Sequence, residues 1–186
     1  MFKILSSLKS LFLRNKKIIF IMADISLHGN PVHTSGSLPE IGSTVKNFKL
    51  VSSDLKDKTN EDFASKRIIF NIFPSIDTGV CAASARKFNE EAAGLNNTVV
   101  LNVSRDLPFA LSRFCAAEGI ENVETLSDFR GTFGEDYGVT ITDSPMAGLL
   151  SRAVIVADEN GKVVYTEQVP EIAQEPNYEN ALNALK

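Results

Sequence analysis

Arg67 to Phe73 (RIIFNIF) is a β-branched and aromatic run in which Ile68, Ile69, Phe70, Ile72 and Phe73 are apolar, with no regular alternation of polar and apolar positions. A continuous β-branched and aromatic run of this kind predicts a strand buried on both faces. Thr98 to Val103 (TVVLNV) has the same character. Between the two, Cys81, Ala85, Phe88, Ala92 and Leu95 recur at helical spacing, which predicts a helix over 79–93 with one apolar stripe. Strand, helix and strand over about 37 residues form a βαβ unit, which requires parallel strands and a right-handed crossover. Asp106 and Pro108 then predict the start of another helix, as N-cap and first-turn proline, and Gly119 its stop. Arg152 to Ala157 and Lys162 to Val169 flank Asp158-Glu159-Asn160-Gly161, an Asn-Gly turn between apolar runs and so a hairpin. A short helix over 177–185 closes the chain. Upstream, Gly29, Asn30 and Pro31 punctuate two short segments, and Asn47 to Ser52 reads as an edge strand.

A βαβ unit followed later by ββα is the order of a thioredoxin-like α/β fold, with a central mixed sheet flanked by helices on both faces. No repeat, low-complexity stretch or linker divides residues 22–186, which are expected to form one domain. Fold order alone does not assign a function.

Composition narrows the class. At 186 residues with 44% hydrophobic and 23% charged positions, the chain sits near the globular average, which excludes disordered, collagen-like and membrane-embedded classes. The net charge of −4 hides a split. Residues 1–21 hold five basic residues (Lys3, Lys9, Arg14, Lys16, Lys17) and no acids, leaving 14 basic against 23 acidic residues in 22–186, a net of −9. An acidic body argues against a nucleic-acid partner.

In the leader, Ile4, Leu5, Leu8, Leu11 and Phe12 recur at helical spacing among lysines and serines, which suits a basic amphipathic surface helix. The Arg14-Asn15-Lys16-Lys17 cluster breaks the apolar run, and no small-residue cleavage triplet precedes Ala23, so a secretory signal is not expected. Ile18 to Met22 is too short to span a bilayer. The leader is expected to be an upstream extension, with Met22 as the working start; the alternative is a membrane-surface or targeting segment. Any membrane contact is expected through residues 1–21 only, and the expected location of the body is the cytoplasm, with a periplasmic or membrane-surface location through the leader as the alternative.

Two cysteines are too few for a disulfide scaffold or a Cys-rich zinc module. Their settings are electrostatically opposite. Cys81 falls in the first turn of its helix, where unpaired N–H groups and the positive end of the helix dipole favour a thiolate. That dipole contributes only about 0.3–1 kcal/mol, so full activation needs a cation or further hydrogen bonds. The same residue sits on the apolar stripe, and a small buried hydrophobe is the competing interpretation. Cys115 falls in the last turn before Gly119, where the dipole disfavours an anion. A bond between the two would close a loop of about 34 residues and constrain the unfolded chain by roughly 3–4 kcal/mol. With each cysteine on its own helix, forming that bond would require local unfolding.

The segment Asn71 to Asn89 (NIFPSIDTGVCAASARKFN) closely resembles the thiol peroxidase family, the atypical two-cysteine peroxiredoxins. Its core fits the peroxiredoxin pattern P-x-x-x-T-x-x-C as Pro74, Thr78 and Cys81. The likeness continues through Ser112 to Arg130 and Arg152 to Tyr165, and covers nearly all of 24–186. The resemblance implies a peroxidase in which Cys81 is the peroxidatic cysteine, passing through a sulfenic acid. Thr78 would hydrogen-bond sulfur and peroxide, Pro74 would shield the thiolate, and Arg152 would stabilise it and hold the peroxide. Taken singly, these three are a helix cap, a strand-ending kink and a solvated charge. Cys115 matches the resolving cysteine and would form an intrachain disulfide with Cys81, reduced by thioredoxin. The resemblance further implies hydrogen peroxide and organic hydroperoxides as substrates and a homodimer packing near the active-site face. No cofactor or metal is expected, because the cysteines carry the electrons.

Three alternatives stay open at this level. A thiol–disulfide oxidoreductase of the same fold would need C-x-x-C, and Thr78 occupies the place of its first cysteine. A non-catalytic redox sensor would use Cys81 without turnover. A membrane-associated interaction protein would depend on residues 1–21.

Overall fold

The computed structural model describes residues 23–186, so the leader and its alternatives lie outside the described residues. The chain opens with a small hairpin, β1 (Ile25–Leu27) and β2 (Asn30–Val32). Its turn is His28-Gly29, with φ of 52° and 78°, one residue earlier than the punctuation suggests. Two positive φ values suit the right-handed twist of a two-residue hairpin. Asn30 and Pro31 instead lie within β2.

The main sheet has seven strands in the order β4-β3-β7-β6-β5-β8-β9. Its centre is the expected βαβ unit: β5 (Arg67–Ile72), α1 (Gly79–Ala92) and β6 (Thr98–Ser104), with β5 and β6 parallel. From Ile68 to Ile72, β5 is buried at every position, as a run that is apolar on both faces except at Asn71 requires. A second parallel step, through α2 (Pro108–Glu118) to β7 (Glu124–Ser127), is not evident in the sequence pattern. Strands β8 (Ala153–Ala157) and β9 (Val163–Gln168) form the Asn-Gly hairpin, and β8 runs antiparallel to β5. The 49–51 segment forms β3 but is not an edge. Strand β4 (Asp57–Thr59) pairs outside it, with Lys49, Asp57 and Arg130 joined by ion pairs along that border.

Each face of the sheet is covered. Phe70, Ile72, Leu101, Val103, Leu126 and Ile155 point into a core closed by Phe48, Phe63 and two aromatics from a second short helix, α3 (Phe133–Asp136), and its cap, Phe133 and Tyr137. Those two rings stack at a centroid distance of 4.2 Å. On the other face Ile69, Val100, Val154 and Val156 pack against Phe88 of α1 and Ala181 of the last helix, α4 (Tyr178–Asn183). A buried polar bridge crosses this second face. Ser84 Oγ of α1 donates to Asn71 Oδ1 at 2.8 Å, and Asn71 Nδ2 donates to Asn102 Oδ1 at 2.7 Å on the next strand. Because buried polar groups are costly unless bonded, this bridge fixes how α1 sits on the sheet.

Candidate active site

In α/β sheets, functional groups collect beyond the carboxyl ends of parallel strands. Here β5 ends at Ile72, and the chain passes through buried Phe73 and Pro74 before α1 begins at Gly79. The antiparallel register pairs Ile72 with Ala153, so Arg152, one residue before Ala153, enters the sheet beside this same strand end. Topology thus brings Arg152 to the first turn of α1 across 71 positions of sequence.

Cys81 is fully buried, at 0% exposure, among Phe73, Ile76, Ala85 and Leu111. It lies on the apolar stripe, as a small buried hydrophobe would, and its sulfur is also hydrogen-bonded. Thr78 Oγ1 lies 2.8 Å from Cys81 Sγ, and Arg152 Nη2 donates to that sulfur at 3.3 Å. Thr78 is the N-cap residue of α1 by backbone conformation, yet its hydroxyl caps no backbone N–H. The hydroxyl is placed instead between Cys81 Sγ and the Ser75 carbonyl, the latter 3.1 Å away.

Arg152 is not a solvated charge, as it would be if read singly. It is 2% exposed, its Nε donates to the Ile172 carbonyl at 2.8 Å, and its Nη1 has no partner among the described residues. A buried guanidinium is costly without an anion beside it, and its contacts are one carbonyl and the Cys81 sulfur. Of these two contacts, the Cys81 sulfur is the one able to become an anion. The carbonyl is itself anchored, because Ile172 N–H donates to the Ser26 carbonyl at 2.9 Å and Ser26 N–H to the Pro170 carbonyl at 2.7 Å. Glu171 adds its carboxylate, accepting from the His28 and Gly29 N–H groups at 3.0 Å each and from Ser26 Oγ at 2.9 Å. Backbone N–H donors, Gly29 first and Ala173 next, hold this carboxyl down at about 2. The N-terminal hairpin thus helps to orient Arg152, which nothing in its own sequence suggests.

Cys115 stands apart from this group. It is half-buried in the last turn of α2, its sulfur 3.6 Å from Thr125 Oγ1, and both cysteines are free. Burial pushes its thiol up, and the Thr125 hydroxyl only partly opposes this. Gly119 closes α2 in the left-handed region at φ 65°, as expected. Asp106, however, is not the N-cap: Leu107 takes that place, with Pro108 in the first turn. The end of α2 is fastened to α1 by an Arg86–Glu118 ion pair at 2.8 Å and by Asn89, whose side-chain oxygen accepts from the Glu121 and Asn122 N–H groups.

Two cavities frame the geometry. One of about 250 Å³ opens beside Cys115, lined by Ser52, Ser112 and Thr125 among others. A larger one, about 890 Å³, lies between the C-terminal end of α1 and α4 and touches neither cysteine. The larger cavity is thus remote from both cysteines, whereas the donors converge on Cys81.

The Redoxin family model matches residues 40–182. Thiol peroxidases of Corynebacterium glutamicum and Mycobacterium tuberculosis are 57% and 58% identical over 164 residues, spanning 88% of this chain and 99% of each relative. Among solved structures, a peroxiredoxin-like protein from Aquifex aeolicus superposes with a TM-score of 0.81 at 40% identity, covering 87% of this chain and 95% of that one. A thiol peroxidase from Chromobacterium violaceum gives a TM-score of 0.77 at 23% identity, covering 86% and 93%, a likeness of fold.

Proposed function

The chain belongs to the Redoxin family and acts as a thiol-dependent peroxidase of thioredoxin-like fold, and from that premise we propose that Cys81 is the nucleophile that takes an oxygen atom from peroxide and Cys115 its resolving partner. One observation carries the assignment of Cys81: a buried guanidinium with no carboxylate partner and a hydroxyl both converge on its sulfur.

In the first step the Cys81 thiolate attacks the terminal oxygen of the peroxide. The O–O bond breaks, and the leaving oxygen departs as water or an alcohol after taking up a proton, while sulfur is oxidised to sulfenic acid. Donors placed where charge develops lower the barrier most. Arg152 Nη2 and the Thr78 hydroxyl hold the sulfur, and Arg152 Nη1, a donor without a partner among the described residues, would serve the peroxide. Pro74, buried just after β5 ends, is assigned the shielding of the thiolate from water.

In the second step the Cys115 sulfur attacks the sulfenic sulfur, releasing water and forming the Cys81–Cys115 disulfide. Both cysteines sit in intact helices, so α2 must open for this bond to form. Opening also exposes the Cys115 thiol to water, which removes the burial that holds its ionisation back. A thioredoxin-type dithiol then reduces the disulfide by exchange, taking the two electrons' deficit onto itself. Such a reductant is supplied in a thiol-reducing compartment, which supports a cytoplasmic location. Among the described residues no helix is long and apolar enough to cross a membrane. Leu107 and Phe109, 51% and 65% exposed at the start of α2, support a homodimer formed on this face.

Stopped-flow peroxide reduction with Cys81→Ser and Cys115→Ser proteins tests the scheme. Cys81→Ser is expected to be inactive; Cys115→Ser reacts once and stalls as sulfenic acid. Repeated turnover by Cys81→Ser would overturn it, and consumption of one equivalent by the wild type with thioredoxin and its reductase would favour a sensor.

A further inference from the structure

Asp106 reads from sequence as a helix cap, but its carboxylate is turned away from α2 and across to the loop that carries Cys81. One oxygen accepts from the Ser75 hydroxyl at 2.8 Å. The other accepts from the Ile76 backbone N–H and from the Ser104 hydroxyl, both at 2.7 Å. Asp106 is itself held by the sheet: its N–H donates to Ser104 Oγ at 3.2 Å, and Ser127 Oγ donates to its carbonyl. A carboxylate fixed at the ends of β6 and β7 therefore grips a loop about 30 residues earlier in the chain.

Ile76 packs this loop into the apolar cluster around Cys81, but its polar links to distant side chains are few. Residues 74–78 belong to neither β5 nor α1. Apart from Asp106, the link from Ser75–Asp77 to a distant side chain among the described residues is an Arg113–Asp77 pair at 3.8 Å, exposed on both sides. Pairs of that kind contribute little. The loop's internal geometry nevertheless decides the site, because the Ser75 carbonyl receives the Thr78 N–H at 3.2 Å and lies 3.1 Å from the Thr78 hydroxyl. That hydroxyl is the one 2.8 Å from Cys81 Sγ.

We infer that Asp106 is a positioning residue for the peroxide step, holding Ser75 and Ile76 so that the Thr78 hydroxyl is aimed at Cys81. The inference rests on the assignment of Cys81 as the oxidised residue. Its mode of action is geometric rather than electrostatic, and the bonding pattern makes that distinction testable. An asparagine at 106 can give its oxygen to the Ile76 N–H and the Ser104 hydroxyl while its amide donates to the second lone pair of Ser75 Oγ, the first accepting from the Asp77 N–H at 3.3 Å. An alanine preserves none of the three bonds.

The test uses the reduced full-length chain and follows single-turnover oxidation by hydrogen peroxide in stopped flow, with iodoacetamide alkylation of Cys81 and the melting temperature measured in parallel. Asp106→Ala is expected to lower the peroxide rate constant by roughly 10- to 100-fold, the loss typical of an ångström-scale misplacement of a reacting group. Alkylation needs no Thr78 geometry and is expected to change less than about threefold, and Asp106→Asn to stay within about threefold of wild type on peroxide. Ser75→Ala, which removes one of the bonds without altering charge, should fall between the two and serves if Asp106→Ala folds poorly. An Asp106→Asn protein as slow as Asp106→Ala would overturn the geometric role. Peroxide rates within threefold of wild type for both Asp106→Ala and Ser75→Ala would overturn the inference outright. Turnover by Cys81→Ser, by contrast, would remove the site on which it rests.

Discussion

Thr78→Val separates a catalytic hydroxyl from a helix cap. The substitution keeps the β-branched shape and removes one oxygen, which lies 2.8 Å from Cys81 Sγ and 3.1 Å from the Ser75 carbonyl. A hydrogen bond to a charged acceptor contributes about 1.5–3 kcal/mol. If that bond is retained into the transition state, its loss lowers the peroxide rate constant by roughly 10- to 150-fold, at about 1.4 kcal/mol per decade. A true N-cap hydroxyl would instead cost about 0.5–2 kcal/mol of stability on removal. Because the Thr78 side chain caps no N–H, the melting temperature of Thr78→Val should move little. Thr78→Ser, which restores the hydroxyl without the methyl, should recover most of the rate. Stopped-flow oxidation of the reduced protein and thermal melts measure both quantities. A Thr78→Val protein that reacts at half the wild-type rate or better would refute the reasoning. So would one that loses stability like a broken cap while keeping its rate.

Other substitutions address the remaining parts of the site. Arg152→Lys keeps the charge but not the fork that reaches both Ile172 and Cys81, and kcat/KM for peroxide should fall by about 100-fold. Arg152→Met should fall at least as far without a matching loss in melting temperature, since an apolar side chain replaces a buried charge; activity within tenfold of wild type would contradict the role given to Arg152. In a Cys81→Ser background, burial keeps Cys115 protonated, so its labelling by iodoacetamide should still be rising above pH 9 in the folded protein. A plateau by pH 8 would contradict this. The Glu171 carboxyl is depressed from 4.5 to about 2, so its stabilising contribution is complete above pH 4.5 and is lost as pH falls towards 2. Denaturant midpoints of Glu171→Gln should therefore depend less on pH than those of wild type across that window, and parallel curves would count against it.

The elements with strong local signatures are those whose sequence pattern is a direct consequence of burial. The continuous run at 67–73 becomes the buried strand β5, the stripe at 79–93 becomes α1, and Asn160-Gly161 becomes the turn of the β8–β9 hairpin, with Gly161 at φ 73°. Strands β4 and β7 and helix α3 leave weaker traces, because three or four residues do not establish a period and their stability comes from neighbours. The 49–51 strand was expected at the sheet edge because nothing local distinguishes an outer strand from one whose partner is three residues long.

Sequence alone determined the chemical inventory: two cysteines, one at a helix start within P-x-x-x-T-x-x-C and one at a helix end, and the apolar runs that require a βαβ core. Those are properties of local spacing, which a helix or strand converts into position without help. Only the tertiary structure decided which groups meet. The register of β5 against β8 sets Arg152 beside Cys81, the N-terminal hairpin steadies the carbonyl that orients it, and Asp106 turns from its own helix to the loop before α1. Each of these pairings joins residues from about 30 to more than 140 positions apart. Distance along the chain carries no information about such contacts; they follow from strand order and from the need of buried charges and N–H groups to find partners.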